Sequence, residues 1–163
     1  MIKRELYMNR IRPFIGGELI KVMTGIRRSG KSVMLELIKE ELAEAGVAPS
    51  QMISINFEDM RYSHLQTATA LHDEIIKRAE GIEGKAYLFF DEIQEVEGWE
   101  KCVNSLRVAL DCDIYITGSN AKLLSGELAT YIGGRYVEFV IYPFSFAEFL
   151  ELYHTIAPSD SIQ

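Results

Sequence analysis

The feature that most constrains this chain is the run at 20–32, Ile-Lys-Val-Met-Thr-Gly-Ile-Arg-Arg-Ser-Gly-Lys-Ser. Residues 20–23 read as a buried strand. Gly25, Gly30, Lys31 and Ser32 follow at the spacing G-x-x-x-x-G-K-[ST], and residues 33–45 carry the periodicity of a helix. Strand, glycine loop, Lys-Ser and helix in that order is the context that a phosphate-binding P-loop requires. Backbone N–H groups of such a loop and of the helix start converge on one point and favour an anion there. Glycine at positions 25 and 30 lets the backbone turn and approach phosphate with no Cβ in the way. The expected nucleotide-binding set is Gly25, Ile26, Arg27, Arg28, Ser29, Gly30, Lys31, Ser32 and Val33. Lys31 would reach the β- and γ-phosphates, and the Ser32 hydroxyl would ligate Mg²⁺. The alternative is a plain glycine turn between strand and helix.

A P-loop needs a sheet around it, and the rest of the chain supplies one. Apolar runs at 52–57, 86–90, 114–117 and 136–141 read as four further strands. Helical patterns separate them, through Leu71, Ile75 and Ile76, then Val103 and Leu106, then Leu123 and Leu128. Ser63 with Gln66 suits a capping box for the first of these helices, and Ser145 with Glu148 suits one for a last helix through Phe149 and Leu152. Near-continuous apolar strands alternating with helices predict an α/β, three-layer αβα sandwich on a mainly parallel five-stranded sheet. Residues 1–19 precede it as a segment packing on the nucleotide site, in which Tyr7, Pro13 or Phe14 either stacks on a base or joins the core. The domain is expected over 20–153, with 154–163 opening a linker.

Residues 88–92, Leu-Phe-Phe-Asp-Glu, fit the apolar-strand-then-acid signature called Walker B. Asp91 at the end of such a strand can hold the Mg²⁺ that Ser32 ligates. Glu92 beside it can orient and deprotonate a water, which implies hydrolysis rather than transfer to an acceptor. That weighs against a small-molecule kinase. One strand between the two motifs fits the P-loop class with an additional catalytic Glu, and by analogy with that class the sheet order is 5-1-4-3-2. The fourth strand then ends between the motifs, carrying Thr117, Ser119 and Asn120. Asn120 or Ser119 is the candidate for touching the γ-phosphate or the water, and a helix N-cap is the alternative for Ser119. Arg135 is a candidate arginine finger, or else a surface residue pairing with Glu138 or Glu127. Glu58 and Asp59 either bond Walker B groups or steer Glu92. His64, His72 and His154 lack metal-ligand spacing.

Charge distribution agrees with a polyphosphate site. Residues 1–50 carry nine Lys/Arg against six acids, whereas 51–100 carry four against eleven. No broad basic stripe remains for a nucleic-acid backbone. No apolar run approaches a membrane span, residues 1–7 lack a secretory core, and Cys102 and Cys112 suit buried thiols in a reducing cytoplasm.

Gly-Ile-Arg-Arg-Ser-Gly-Lys-Ser, Leu-Phe-Phe-Asp-Glu-Ile-Gln, Ile-Thr-Gly-Ser-Asn-Ala, Gly-Gly-Arg-Tyr and Pro-Phe-Ser-Phe-Ala-Glu-Phe together resemble one family. It is the AAA-type ATPase domain of prokaryotic proteins that usually carry a C-terminal domain of unknown function. The resemblance runs over about 20–152. It implies ATP binding with Mg²⁺, Asp91, Glu92 and the 119–120 segment at the family's motif positions, and an arginine at 135 that acts on nucleotide. Family members continue into a second domain, so the resemblance implies an effector beyond these residues, with a protein or DNA target reached through it. Two functions follow as expectations: hydrolysis of ATP to ADP and phosphate, or an ATP-gated binding module with little turnover.

Overall fold

A computed structural model describes residues 4–119, 123 and 132–143. Helix α1 (Glu5–Ile11) and a 3-10 turn (Arg12–Phe14) lead to strand β1 (Ile20–Thr24). Helix α2 (Lys31–Glu44) follows the glycine loop, and strand β2 (Met52–Asn56) follows α2. A second 3-10 turn (Met60–Leu65) precedes helix α3 (Ala68–Ala79) and strand β3 (Ala86–Asp91). Helix α4 (Trp99–Ala109), strand β4 (Cys112–Gly118) and strand β5 (Tyr136–Val140) complete the described elements.

The strands form one parallel sheet in the order β2-β3-β4-β1-β5, which is the predicted order 5-1-4-3-2 read from the other edge. The sheet is buried on both faces because side chains alternate across it and each face has helices to cover it. Val22, Leu88, Phe90, Ile114 and Ile116 pack with Leu71 and Ile75 of α3 and Val103 and Leu106 of α4. On the other face Met23, Phe89, Tyr115 and Phe139 pack with Met34, Leu37 and Ile38 of α2 and Met8 and Ile11 of α1. These are the three layers expected. β2, at the edge, alternates buried and exposed positions, whereas every residue of β1 is buried. Among the described residues no helix is long and apolar enough to cross a membrane.

Several local expectations are corrected. Thr67, not Ser63, caps α3, its hydroxyl accepting from the Ala70 N–H at 3.3 Å. Gln66 turns away to donate to the Phe57 carbonyl at 3.1 Å, because 60–65 is already coiled as a 3-10 turn. Phe14 stacks edge-on against Phe139 in the core, with centroids 5.7 Å apart. Tyr7 is also buried, so both aromatic rings belong to packing, while Pro13 lies on the surface. The last helix, with Ser145, Glu148, Phe149 and Leu152, and the segment 154–163 lie outside the described residues, as do Leu124 and Leu128.

The apolar reading of β1 also missed a charge. Lys21 is fully buried, paired with Asp113 of β4 and donating to the Gly17 carbonyl at 2.8 Å. Asp113 accepts in addition from the Gly16 N–H at 2.8 Å and from the Tyr115 hydroxyl at 2.5 Å. Burial pulls the Lys21 ammonium below its ordinary pKa, opposed by the attraction of Asp113. This network ties the Gly16-Gly17 turn to the two central strands, at the end of the sheet remote from the glycine loop.

Candidate functional site

The glycine loop lies where the carboxyl ends of β1, β3, β4 and β5 converge, with α2 leaving from it. Each of its two outer glycines is required by what surrounds it. Gly30 has φ 98° and ψ 19°, in the left-handed region that other residues enter only at a cost, and a Cβ there would sit 2.7 Å from Arg4 Nη1. At Gly25 the limit is space, since a Cβ would lie 2.3 Å from the Ile141 carbonyl oxygen. Ile26, Arg27 and Arg28 face solvent, and Arg28 is itself left-handed at φ 63°. Ser29 is buried, and its hydroxyl has no hydrogen-bond partner among the described residues.

Lys31 opens α2 but its side chain folds back over the loop. The ammonium donates to the Gly25 carbonyl at 2.6 Å and the Ile26 carbonyl at 3.3 Å, and lies 3.5 Å from Glu92 Oε1. Only 4% of the Lys31 side chain is exposed, so this charge acts in a screened, low-dielectric setting. One residue on, the Ser32 hydroxyl donates to Asp91 Oδ2 at 2.6 Å, joining α2 to the end of β3. The start of α2 and the end of β3 are therefore in direct contact.

Thr117, at the end of β4, completes the arrangement. Its hydroxyl donates to Asp91 Oδ1 at 2.5 Å and accepts from the Glu92 backbone N–H at 2.9 Å. Glu92 has φ 57° and ψ 52°, left-handed and uncommon for a residue with a side chain. The Gln94 amide donates to Glu92 Oε2 at 2.5 Å, so both carboxylate oxygens face a polar partner. Gln94 Oε1 is buried with no partner among the described residues and would lie 2.5 Å from a Cβ on Gly118, a reason for glycine at that position.

The donor set suits a small hard cation. A hydroxyl and a carboxylate already in contact offer oxygen ligands of the type Mg²⁺ takes. Ser32 and Asp91 are the residues that would hold it.

Of the residues singled out in the sequence, the structure brings together Gly25–Ser32, Asp91 and Glu92. Asn120 lies outside the described residues. Ser119 accepts at its carbonyl from the Leu123 N–H at 2.9 Å, the bond of a helix start. Arg135 is not at this site. It is exposed immediately before β5, and its carbonyl accepts from the Ile20 N–H at 2.9 Å, at the opposite end of the sheet from the loop. A finger acting on nucleotide in its own chain is incompatible with that position, since β1 separates the two by its full length. Glu138 accepts from the Thr24 hydroxyl at 2.7 Å rather than pairing with Arg135. Glu127 lies outside the described residues.

The acids after β2 pair with arginines rather than with Asp91 or Glu92. Glu58 lies 3.6 Å from Arg27, and Asp59 pairs with Arg61, which holds its carboxyl below the usual carboxylate range. His72 shares a hydrogen bond with Ser105 at 3.0 Å across α3 and α4, a structural role; His154 lies outside the described residues.

Two positions in contact with the candidate site were not assigned from sequence. Gln94 stood only as part of a motif. Arg4, 3% exposed, donates from Nη1 to the Ser29 carbonyl and from Nη2 to the Tyr142 carbonyl, each at 2.7 Å. Nothing local marks it, since the loop it supports begins some twenty residues later in sequence.

A family model described as an AAA domain matches residues 17–150. An uncharacterized protein of Haemophilus influenzae is 48% identical over 150 residues, which are 92% of this chain and 38% of that protein. The chain thus spans little more than a third of that relative's length. Among solved structures, ORC1 of Aeropyrum pernix in complex with DNA superposes with TM-score 0.63 at 16% identity, over 97% of this chain and 50% of that one. A reconstruction of Hsp104 with ATPγS and FITC casein gives 0.64 at 16% identity, over 96% of this chain and 30% of that one. At these identities the likeness is one of fold.

Proposed function

The chain belongs to the AAA domain family, and on that premise we propose that it binds ATP with Mg²⁺ and hydrolyses it to ADP and phosphate. The observation that carries the reading is the closed chain of contacts Lys31–Glu92–Thr117–Asp91–Ser32 around the glycine loop. Each member has a role set by its place. Loop and α2 backbone N–H groups receive the phosphates, and Lys31 exchanges its carbonyl partners for phosphate oxygens. Ser32 and Asp91 would hold Mg²⁺, which would supply neutralisation of phosphate charge. Glu92 accepts a proton from the attacking water, with its backbone fixed by Thr117 and its carboxylate oriented by Gln94. Thr117 takes the place at the end of β4 for which Asn120 or Ser119 was the candidate, and Asn120 remains a second candidate for the γ-phosphate. Arg135 is left as a candidate for the nucleotide of a neighbouring subunit. The proposed setting is the cytoplasm.

Hydrolysis in this reading drives or gates an effector outside these residues, its target a protein or DNA. The greater length of the Haemophilus influenzae relative supports this. Phosphate release from ATP and Mg²⁺ tests the assignment directly, and Lys31→Ala should abolish nucleotide binding. The second reading, an ATP-gated binding module, is favoured by one contact. Arg4 ties Ser29 of the loop to Tyr142 at the exit of β5, so a loop that moves on binding pulls on the chain leaving the sheet. It expects ATP binding without measurable phosphate release.

A further inference from the structure

The aromatic residues ahead of β1 were candidates for stacking on a base, and they are buried or packed in the core. Among the described residues an exposed ring lies at the exit of β5, on Tyr142. Tyr142 is 64% exposed, one of six large exposed hydrophobic residues among the described residues, and Ile26 of the loop and Val33 in the first turn of α2 are two of the others. Half of the large exposed hydrophobic residues among those described therefore belong to the glycine loop, the start of α2 and the exit of β5.

What sets Tyr142 apart from an incidental surface tyrosine is its backbone. The N–H donates to the buried Tyr7 hydroxyl at 3.1 Å, and the carbonyl accepts from Arg4 Nη2 at 2.7 Å. Pro143 follows, and a residue before proline is confined to extended conformations. The Arg4 guanidinium that holds Tyr142 lies 4.5 Å from the Tyr7 ring centroid and donates its other nitrogen to Ser29 of the loop. The Tyr142 and Ser29 carbonyls are thus one guanidinium and two hydrogen bonds apart. The preceding residue, Ile141, places its carbonyl oxygen against Gly25 so closely that no Cβ fits. An exposed aromatic ring is held on a rigid backbone directly beside the loop.

We propose that Tyr142 is the stacking platform for the nucleobase of the nucleotide whose phosphates the loop receives, a reading that rests on nucleotide binding at that loop. Phosphates seated on Gly25–Ser32 leave the ribose and base to extend over the loop's rim, where Ile26 and Tyr142 are exposed. A flat, amphipathic ring on a fixed backbone gives contact area to a base at little entropic cost. Arg4 and Tyr7 serve as positioning residues: they set the platform and, through Ser29, link it to the phosphate loop. Stacking on a π-face tolerates any base, so the platform contributes affinity for the nucleoside more than choice among purines.

The test compares the binding of ATP and of inorganic tripolyphosphate, both with Mg²⁺, by calorimetry on the intact protein and its Tyr142→Ala, Tyr142→Phe and Lys31→Ala variants. The Tyr142 ring is exposed, so truncating it leaves the core unchanged. Tyr142→Ala is expected to weaken ATP by about tenfold or more and leave tripolyphosphate within twofold of wild type. Tyr142→Phe, which keeps the π-face, should bind ATP like wild type. The proposal is overturned if Tyr142→Ala binds ATP normally, or if it loses ATP and tripolyphosphate by the same factor. Failure of the underlying reading looks different: Lys31→Ala would then bind both ligands as wild type does, whatever Tyr142→Ala shows.

Discussion

The Thr117 hydroxyl accepts a hydrogen bond from the Glu92 backbone N–H at 2.9 Å and donates one to Asp91, 26 residues earlier in the chain, at 2.5 Å. One hydroxyl at the end of β4 therefore fixes both acids at the end of β3. It also gives the left-handed Glu92 a bonded N–H at the point where the strand pattern breaks.

Thr117→Val keeps the shape and removes the hydroxyl, which leaves a peptide N–H and a carboxylate oxygen without their partner. Stability should fall by about 1–3 kcal/mol in urea unfolding, while Thr117→Ser stays near wild type. Turnover of ATP should fall with Thr117→Val even at temperatures where the variant is fully folded.

The two outer loop glycines should respond differently to alanine. At Gly30 the cost is the left-handed conformation, about 1–2 kcal/mol, plus displacement of the tip of Arg4. At Gly25 the obstacle is the backbone carbonyl of Ile141, which cannot give without moving β5. Gly25→Ala is expected to lower the thermal midpoint more than Gly30→Ala, and calorimetry should show nucleotide binding weakened in both.

The parts of this molecule legible in its sequence are those written in local pattern. Apolar runs located the five strands, and the spacing from Gly25 to Ser32 with Asp91-Glu92 located the heart of the site. What escaped was set by contacts distant in the chain. Arg4 reaches Ser29 only because α1 folds back over α2, and Lys21 is tolerated in a buried strand only because Asp113 faces it from β4. Tyr7 and Phe14 have the composition of a base-stacking segment, but helix α1 and the following turn direct both rings into the sheet. Arg135 was named from its motif, although a parallel sheet already puts the residue before β5 at the end opposite the loop that follows β1.

The buried Lys21–Asp113 pair makes a prediction about stability alone. Asp113→Leu leaves a buried ammonium without its counter-charge and the Tyr115 hydroxyl without its acceptor, and should cost about 3–5 kcal/mol. Adding Lys21→Met removes the uncompensated charge, so the double variant should be more stable than the single one. Urea midpoints for the two proteins decide this.

Burial pushes the Cys102 thiol up to about 12 and the Cys112 thiol to about 11, the latter helped by the nearby Asp113 and Asp111 carboxylates. Unfolded chains ionise such thiols near their ordinary pKa of about 8.5. The folded protein keeps these protons and the unfolded one releases them, so this contribution is complete below about pH 8.5 and is lost as pH rises toward 11–12. Between pH 7.5 and 10 wild type should lose more stability than a Cys102→Ala, Cys112→Ala double variant. At pH 8 a thiol reagent should label the native protein far more slowly than the urea-unfolded chain.

The central claim is that Glu92 activates the water. Its most direct measurement is phosphate release by Glu92→Gln, with ATP binding and Mg²⁺ dependence recorded on the same sample. The substitution keeps the size of the side chain and its hydrogen bonding to Gln94, and removes the basic oxygen. The account predicts ATP bound as tightly as in wild type and hydrolysis slowed by about 10²–10⁴-fold. Hydrolysis at the wild-type rate would contradict it.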